Sequence, residues 1–159
     1  MFIMKMNDYI SDFTKHLTEA LEIGQTTLLS EPHADIHNVL ICGLGGSGIG
    51  GTIVNDLVSE NINVPISATK DYSIPNFVDE NTLVIASSYS GNTEETLYAL
   101  DACQKRRAQI ACVTSGGTLE KLAKEKGLNC ITIPAGQPPR AMFGYCLLYT
   151  SPSPRDSSK

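Results

Sequence analysis

TLVIASSYSGNTEETL, residues 82–97, puts three signals into one segment. Leu83-Val84-Ile85-Ala86 is an apolar, mostly β-branched run, the pattern of a strand buried on both faces of a parallel sheet. It breaks into a hydroxyl-rich loop, Ser87-Ser88-Tyr89-Ser90-Gly91-Asn92-Thr93, and a helix pattern follows. Asn92 and Glu95 have the spacing of an N-cap and its reciprocal third residue. A strand, a tight polar loop and a helix N-terminus together form an anion site. Free N–H groups of the first turn point outward, and the helix dipole adds positive charge. The hydroxyls of Ser88, Ser90 and Thr93 supply further donors, so the loop can hold a phosphate with no lysine or arginine nearby.

The same arrangement is expected one crossover earlier. Asn38-Val39-Leu40-Ile41-Cys42 reads as a short buried strand, followed by the glycine loop GLGGSGIGG at 43–51. A helix then follows with Ile49, Ile53, Val54, Leu57 and Val58 as its expected buried face. The loop contains G-x-G-x-x-G at positions 43, 45 and 48, which raises a dinucleotide-binding alternative. Such a turn expects an acidic residue about 20 positions on. Asp71 is the candidate, but Thr69-Lys70-Asp71-Tyr72 reads as loop. The extra glycines around Ser47 and the second anion-type loop at 87–93 also count against a dinucleotide.

The remaining segments repeat the alternation. Residues 7–29 read as an amphipathic helix with Ile10, Phe13, Leu17, Leu21 and Leu28 on one face. Val64–Ala68 is a strand that Pro65 confines to an edge or to its first position. Thr93–Lys105 is a helix burying Leu97, Leu100 and Cys103, with Glu94 and Glu95 complementing the dipole of its first turn. Gln109–Val113 is a strand, Thr118–Lys126 a helix stopped by Gly127 in a left-handed cap, and Asn129–Ile133 the last strand. The expected fold is one doubly wound, five-stranded parallel α/β sheet, with helices on both faces and an N-terminal helix. Ligands of such sheets bind beyond the C-terminal strand ends, where the strand order reverses. The glycine loop and the hydroxyl loop both belong there, so one pocket between them is expected. Beyond the last strand, Arg140 follows Pro138-Pro139, and its fixed cationic fork suits an anion or enediolate.

Composition narrows the partners. The 159 residues carry 17 acidic and 12 basic side chains, a net charge of −5 that suits no nucleic-acid surface. The basic knot Lys105-Arg106-Arg107 reads as a solvated helix end. No apolar run reaches the roughly 20 residues of a membrane span, so no membrane partner is expected. The five cysteines form no C-x-x-C pair and read as buried hydrophobes of a reducing cytoplasm. His16, His33 and His37 read as surface residues, with no ligand partners at metal-site spacing.

Taken in order, GLGGSGIGG at 43–51, SSYSGNTEET at 87–96 and QPPRAMFGY at 137–145 resemble the sugar isomerase (SIS) domain, a flavodoxin-like fold. More narrowly, they resemble the N-terminal half of the bifunctional phosphoglucose/phosphomannose isomerases. The resemblance implies that Ser88, Ser90 and Thr93 hold a sugar phosphate, that Gly46 and Ser47 line the sugar, and that Arg140 approaches the reacting carbons. It implies interconversion of glucose 6-phosphate or mannose 6-phosphate with fructose 6-phosphate through a cis-enediol, with no metal or organic cofactor. A sugar-phosphate-binding regulatory module without catalysis is the alternative. The family's glutamate base, ring-opening histidine and second SIS domain match nothing in this sequence, and its site is completed in a homodimer. Residues 1–145 are therefore expected to be an N-terminal SIS domain. Residues 146–159, where the composition shifts abruptly, are expected to be a non-native disordered tail.

Overall fold

The computed structural model describes residues 11–136. In chain order these form α1 (Phe13–Thr26), β1 (Asn38–Cys42), α2 (Gly46–Val58), β2 (Ile66–Thr69), β3 (Thr82–Ser88), α3 (Glu94–Lys105), β4 (Gln109–Thr114), α4 (Gly117–Glu125) and β5 (Asn129–Thr132). The strands make one all-parallel sheet in the order β2-β1-β3-β4-β5. The expected five-stranded α/β architecture is therefore present. The order reverses between β1 and β3, so the two loops singled out in the sequence leave neighbouring strands on either side of the switch point. Pro65 immediately precedes β2, and β2 is an edge strand. Proline has no N–H for a ladder, but the Pro65 carbonyl still accepts from Val39 N–H at 2.9 Å.

Alternate strand residues feed two separate cores. On one face Leu40, Cys42, Val84, Ala86, Ile110 and Cys112 pack with Ala99, Leu100 and Cys103 of α3 and Leu119 and Ala123 of α4. On the other, Val113, Ile131 and Ile133 pack with Ala20 and Ile23 of α1. Ile41 meets α2 there so closely that a Cβ on Gly51 would come within 2.8 Å of its Cγ2. Burial is unequal. Val84 and Ala86 are fully enclosed, whereas Leu83 and Ile85 are only half-buried among the described residues, which corrects the expectation of a strand covered equally on both sides.

Two helices present a different face from the one their large side chains suggest. In α1 the inward residues are His16 and Ala20, while Phe13 and Leu21 are exposed and Leu17 is half-buried. His16 is therefore a core-side residue and not a surface one. In α2 the sheet takes Ser47, Gly51 and Val54, and Ile49 and Leu57 face outward. The reason is distance. Gly51 lets the helix backbone come close to Ile41, which a larger residue at that position would prevent. Ile10 and Cys146 lie outside the described residues.

Arg106 is also not the solvated end residue its neighbours suggest. Its guanidinium donates to the carbonyls of Pro75 at 2.6 Å and Ile74 at 3.4 Å, tying the long β2–β3 connection to the end of α3. Arg107, in the left-handed region at φ 61°, pairs with Glu80 at 3.0 Å. Gly127 takes the left-handed cap expected of it, at φ 64°. No helix among the described residues is long and apolar enough to cross a membrane.

Cys42, Cys103 and Cys112 are buried, and none of the described cysteines is in a disulfide. Burial, aided by the neighbouring Cys130, pushes the Cys112 thiol from 9.0 up to about 12. The Cys103 side chain beside it, then burial, drives the Cys42 thiol above its ordinary range. The same contact lowers the Cys103 thiol, so the net gain is at Cys112, whose proton the folded state holds more tightly than the unfolded chain does. Its contribution to stability is complete below the ordinary thiol pKa and is lost as pH rises from about 9 towards 12.

Two outcomes follow for measurement. Unfolding free energy from urea titrations should fall between pH 9 and pH 11, and Cys112→Val should flatten that fall. Arg106→Ala should cost about 1–3 kcal/mol in the same assay, the range for hydrogen bonds made by a charged donor. It should also speed hydrogen exchange in residues 74–81.

Candidate functional site

Gly43 is where the two halves of the site meet. A Cβ on it would lie 3.1 Å from the Ser47 Cβ and 3.1 Å from the Ser87 carbonyl oxygen. Ser47, in the first turn of α2, is therefore a direct neighbour of the C-terminal end of β3. Gly48 is constrained from the same side, since a Cβ there would come within 2.5 Å of the Gly43 carbonyl. These contacts explain why the segment between β1 and α2 is so rich in glycine. Its backbone turns back on itself within hydrogen-bond distances, which any larger residue would block.

Both helices that start at the switch point have open first turns. α2 begins after Gly45 with no side-chain cap and no acid in its first turn. α3 begins after Thr93, again with no side-chain cap, but with Glu94 and Glu95 in the first turn. Ser47 is 6% exposed, and its hydroxyl has no hydrogen-bond partner among the described residues. Ser88 and Thr93 close the other side, their hydroxyls 2.8 Å apart, and Ser88 Oγ also accepts from Gly91 N–H at 3.1 Å. Gly46, Ser47, Ser88 and Thr93 are thus placed along one strand-end rim. Ser90 sits farther out on the loop, exposed, with Oγ accepting from Asn92 N–H at 3.2 Å. Arg140 lies outside the described residues.

The loop carrying these hydroxyls is braced from the β4–α4 side. Ser115 donates to the Tyr89 carbonyl through its N–H at 3.0 Å and its Oγ at 2.6 Å. Gly91 O accepts from Leu119 N–H at 2.8 Å. Asn92 does not cap α3, contrary to its spacing with Glu95. Its Oδ1 accepts instead from the Thr118 N–H at 3.0 Å and the Thr118 hydroxyl at 2.8 Å, capping the first turn of α4. The sequence rule applied the cap to the nearest following helix, and the loop geometry hands it to the next one. α3 is left open towards the rim as a result.

Two residues passed over as loop also reach this rim. Lys70 follows the last residue of β2, and its Cε lies 3.4 Å from where a Cβ on Gly48 would sit, against the first turn of α2. Tyr72 packs edge-on against Tyr98 of α3, with ring centroids 5.3 Å apart. Partial desolvation, followed by the Glu94 and Glu95 carboxylates and a hydrogen bond to Glu94, pushes the Tyr72 phenol above its ordinary range. Residues 70–72 therefore connect the first turns of both helices. The available signal was position: TKDY directly follows a strand, at the edge where ligands bind. Asp71, the candidate ribose acid, is used locally, accepting from Ser73 N–H at 2.6 Å.

Elsewhere, a cavity of about 820 Å³ lined by His33, Gln109, Ile110 and Asn129 lies at the opposite, N-terminal end of the strands. It holds none of the candidate site residues. Among the described residues no group of three or more His, Cys, Asp or Glu side chains is placed to hold a metal ion.

A doubly wound sheet with two open helix N-termini and a hydroxyl loop at its switch point defines an α/β domain whose rim has the chemistry to take an anion. The family model of the SIS domain matches residues 34–151, and the chain belongs to the SIS domain family. It is 41% identical over 143 residues to the bifunctional phosphoglucose/phosphomannose isomerase of Caldicellulosiruptor bescii, covering 90% of this chain and 42% of that protein. The chain thus spans less than half the length of this relative. Among solved structures it is similar to the C-terminal domain of glucosamine-fructose-6-phosphate aminotransferase from Francisella tularensis, at TM-score 0.69 and 18% identity, covering 92% of this chain and 45% of that one. It is also similar to the Vibrio vulnificus NanR protein, solved complexed with ManNAc-6P, at TM-score 0.55 and 18% identity, covering 86% of this chain and 52% of that one.

The bracing is directly testable. Asn92→Ala should lower stability by about 1 kcal/mol, the usual cost of a lost helix cap. Gly91→Ala should cost far more than Gly45→Ala. Both glycines have positive φ, but a Cβ on Gly91 would meet the Gly116 carbonyl at 1.8 Å whereas one on Gly45 meets nothing within 4 Å. Equal losses of melting temperature for the two glycine variants would contradict this account.

Proposed function

We propose that this chain binds a hexose 6-phosphate at the switch point and is the substrate-binding part of an aldose–ketose isomerase acting on glucose 6-phosphate or mannose 6-phosphate and fructose 6-phosphate. The observation that carries this reading is the pairing of two uncapped helix first turns with the Ser47, Ser88 and Thr93 hydroxyls on one rim. Such a site offers a phosphate many donors in a fixed arrangement. The name of the C. bescii relative and the ManNAc-6P complex of the V. vulnificus neighbour support the same ligand class.

In the reaction a base takes the proton from C2, a cis-enediol forms, and the proton is returned at C1. Negative charge builds on the oxygens during that transfer, and a positioned cation lowers the barrier. We assign that role to Arg140, and phosphate binding to Ser88, Ser90 and Thr93, with Gly46 and Ser47 against the sugar. The base belongs to the remainder of a longer protein, in which residues 1–145 form one SIS unit of a homodimer. A reducing cytoplasm suits the free thiols of this fold.

Isothermal titration with fructose 6-phosphate and, separately, with NAD tests the reading. Fructose 6-phosphate should bind and NAD should not. Ser90→Ala and Thr93→Val should each weaken sugar-phosphate binding about tenfold, the loss of roughly one charge-assisted hydrogen bond. Binding of NAD without binding of the sugar phosphate would overturn the assignment.

A further inference from the structure

The first turns of α2 and α3 are both open, but only that of α3 carries charge. Its Glu94 and Glu95 already offset part of its dipole. That of α2 bears no acid, and Lys70 lies against it with its Cε 3.4 Å from the Gly48 Cβ position. A cation beside a helix N-terminus is placed against the dipole. Lys70 has no ion-pair or hydrogen-bond partner among the described residues to offset this. Its neighbour Asp71 is turned to Ser73 N–H. The Ser47 hydroxyl of the same turn belongs to a residue more than nine-tenths buried and also lacks a partner among the described residues. A lysine, an uncapped helix start and an unpartnered hydroxyl thus share the same end of α2, and an anion would complete each of them.

We propose that Lys70 is a substrate-binding residue of this site. Its ammonium takes the charge of the phosphoryl group from beside the first turn of α2, whose Gly46 and Ser47 stay against the sugar, while the Ser88–Thr93 loop takes its oxygens as a neutral cradle. The inference rests on the hexose-phosphate reading above and deepens it. The pocket has one charged wall and one hydroxyl wall, and the charged wall comes from the β2–β3 connection, not from either signature loop. The anchor of that wall is visible. Gly43 N–H donates to the Thr69 carbonyl at 3.2 Å, and the Thr69 hydroxyl to the Ser73 carbonyl at 3.1 Å, which sets the backbone of residue 70 beside the glycine loop.

The test is titration of the full chain with fructose 6-phosphate at low and at high sodium chloride, for wild type, Lys70→Gln and Lys70→Arg. Lys70 is exposed, so Lys70→Gln should leave the melting temperature of the free protein unchanged or slightly raised. It should weaken binding about tenfold at low salt, as expected for loss of one charged donor to a phosphate, and reduce the salt dependence of binding, since screening then has one attraction fewer to act on. Lys70→Arg should restore both. A wild-type chain that binds while Lys70→Gln binds equally well, with the same salt dependence, overturns the role of Lys70 alone. A wild-type chain that does not bind fructose 6-phosphate overturns the hexose-phosphate reading, and the role of Lys70 with it.

Discussion

The backbone of the hydroxyl loop comes so close to the next turn of the protein that only glycine fits between them. A Cβ on Gly91 would lie 1.8 Å from the Gly116 carbonyl, and one on Gly117 2.2 Å from the Ser90 carbonyl. Around this contact Ser115, Asn92 and Leu119 each make hydrogen bonds across the two loops. The loop that would hold a ligand is therefore held by the β4–α4 turn and not by its own helix. Such preorganisation matters for anion binding, because donors already fixed in place lose little entropy when the ligand arrives.

The opposite side of the rim is built on a similar principle with different atoms. The approach of Gly43 to Ser47 and Ser87 sets the distance between the glycine loop and β3. Gly51 lets α2 come down onto Ile41. Its first turn consequently starts at the C-terminal end of β1, on the side of the β3–α3 loop. Glycine acts here through close approach in some places and through positive φ in others, such as Gly45 and Gly91.

Much of this was legible from residue order. The alternation of apolar runs, glycine or hydroxyl loops and helical periodicity gives the five parallel strands, the switch-point rim and the edge position of β2. The failures have a common cause: they depend on what packs across space. Asn92 and Glu95 have capping-box spacing, yet the carboxamide finds Thr118 because the two loops touch. In α1 and α2 the larger apolar side chains mark the outward face, since His16 and Ala20 in one and the glycines in the other permit the closer packing. Arg106 reads as a solvated end until the β2–β3 connection is seen to lie beneath it. Lys70 and Tyr72 had no motif to announce them. Only the strand order shows that a connection leaving β2 must pass the first turns of both helices.

The crossed cap at Asn92 also governs how the sequence around the rim can change. Because one loop supplies the cap of the next helix, an insertion in the β4–α4 turn would disturb three places together: the start of α4, the conformation of residues 89–93 and the placing of the Ser88 and Thr93 hydroxyls. Residues 70–72 of the connection after β2, inside its Thr69–Ser73 anchor, supply no cap to another helix. Diversification of ligand preference within this architecture is therefore expected to draw on that connection, while the turn joining β4 to α4 keeps its length.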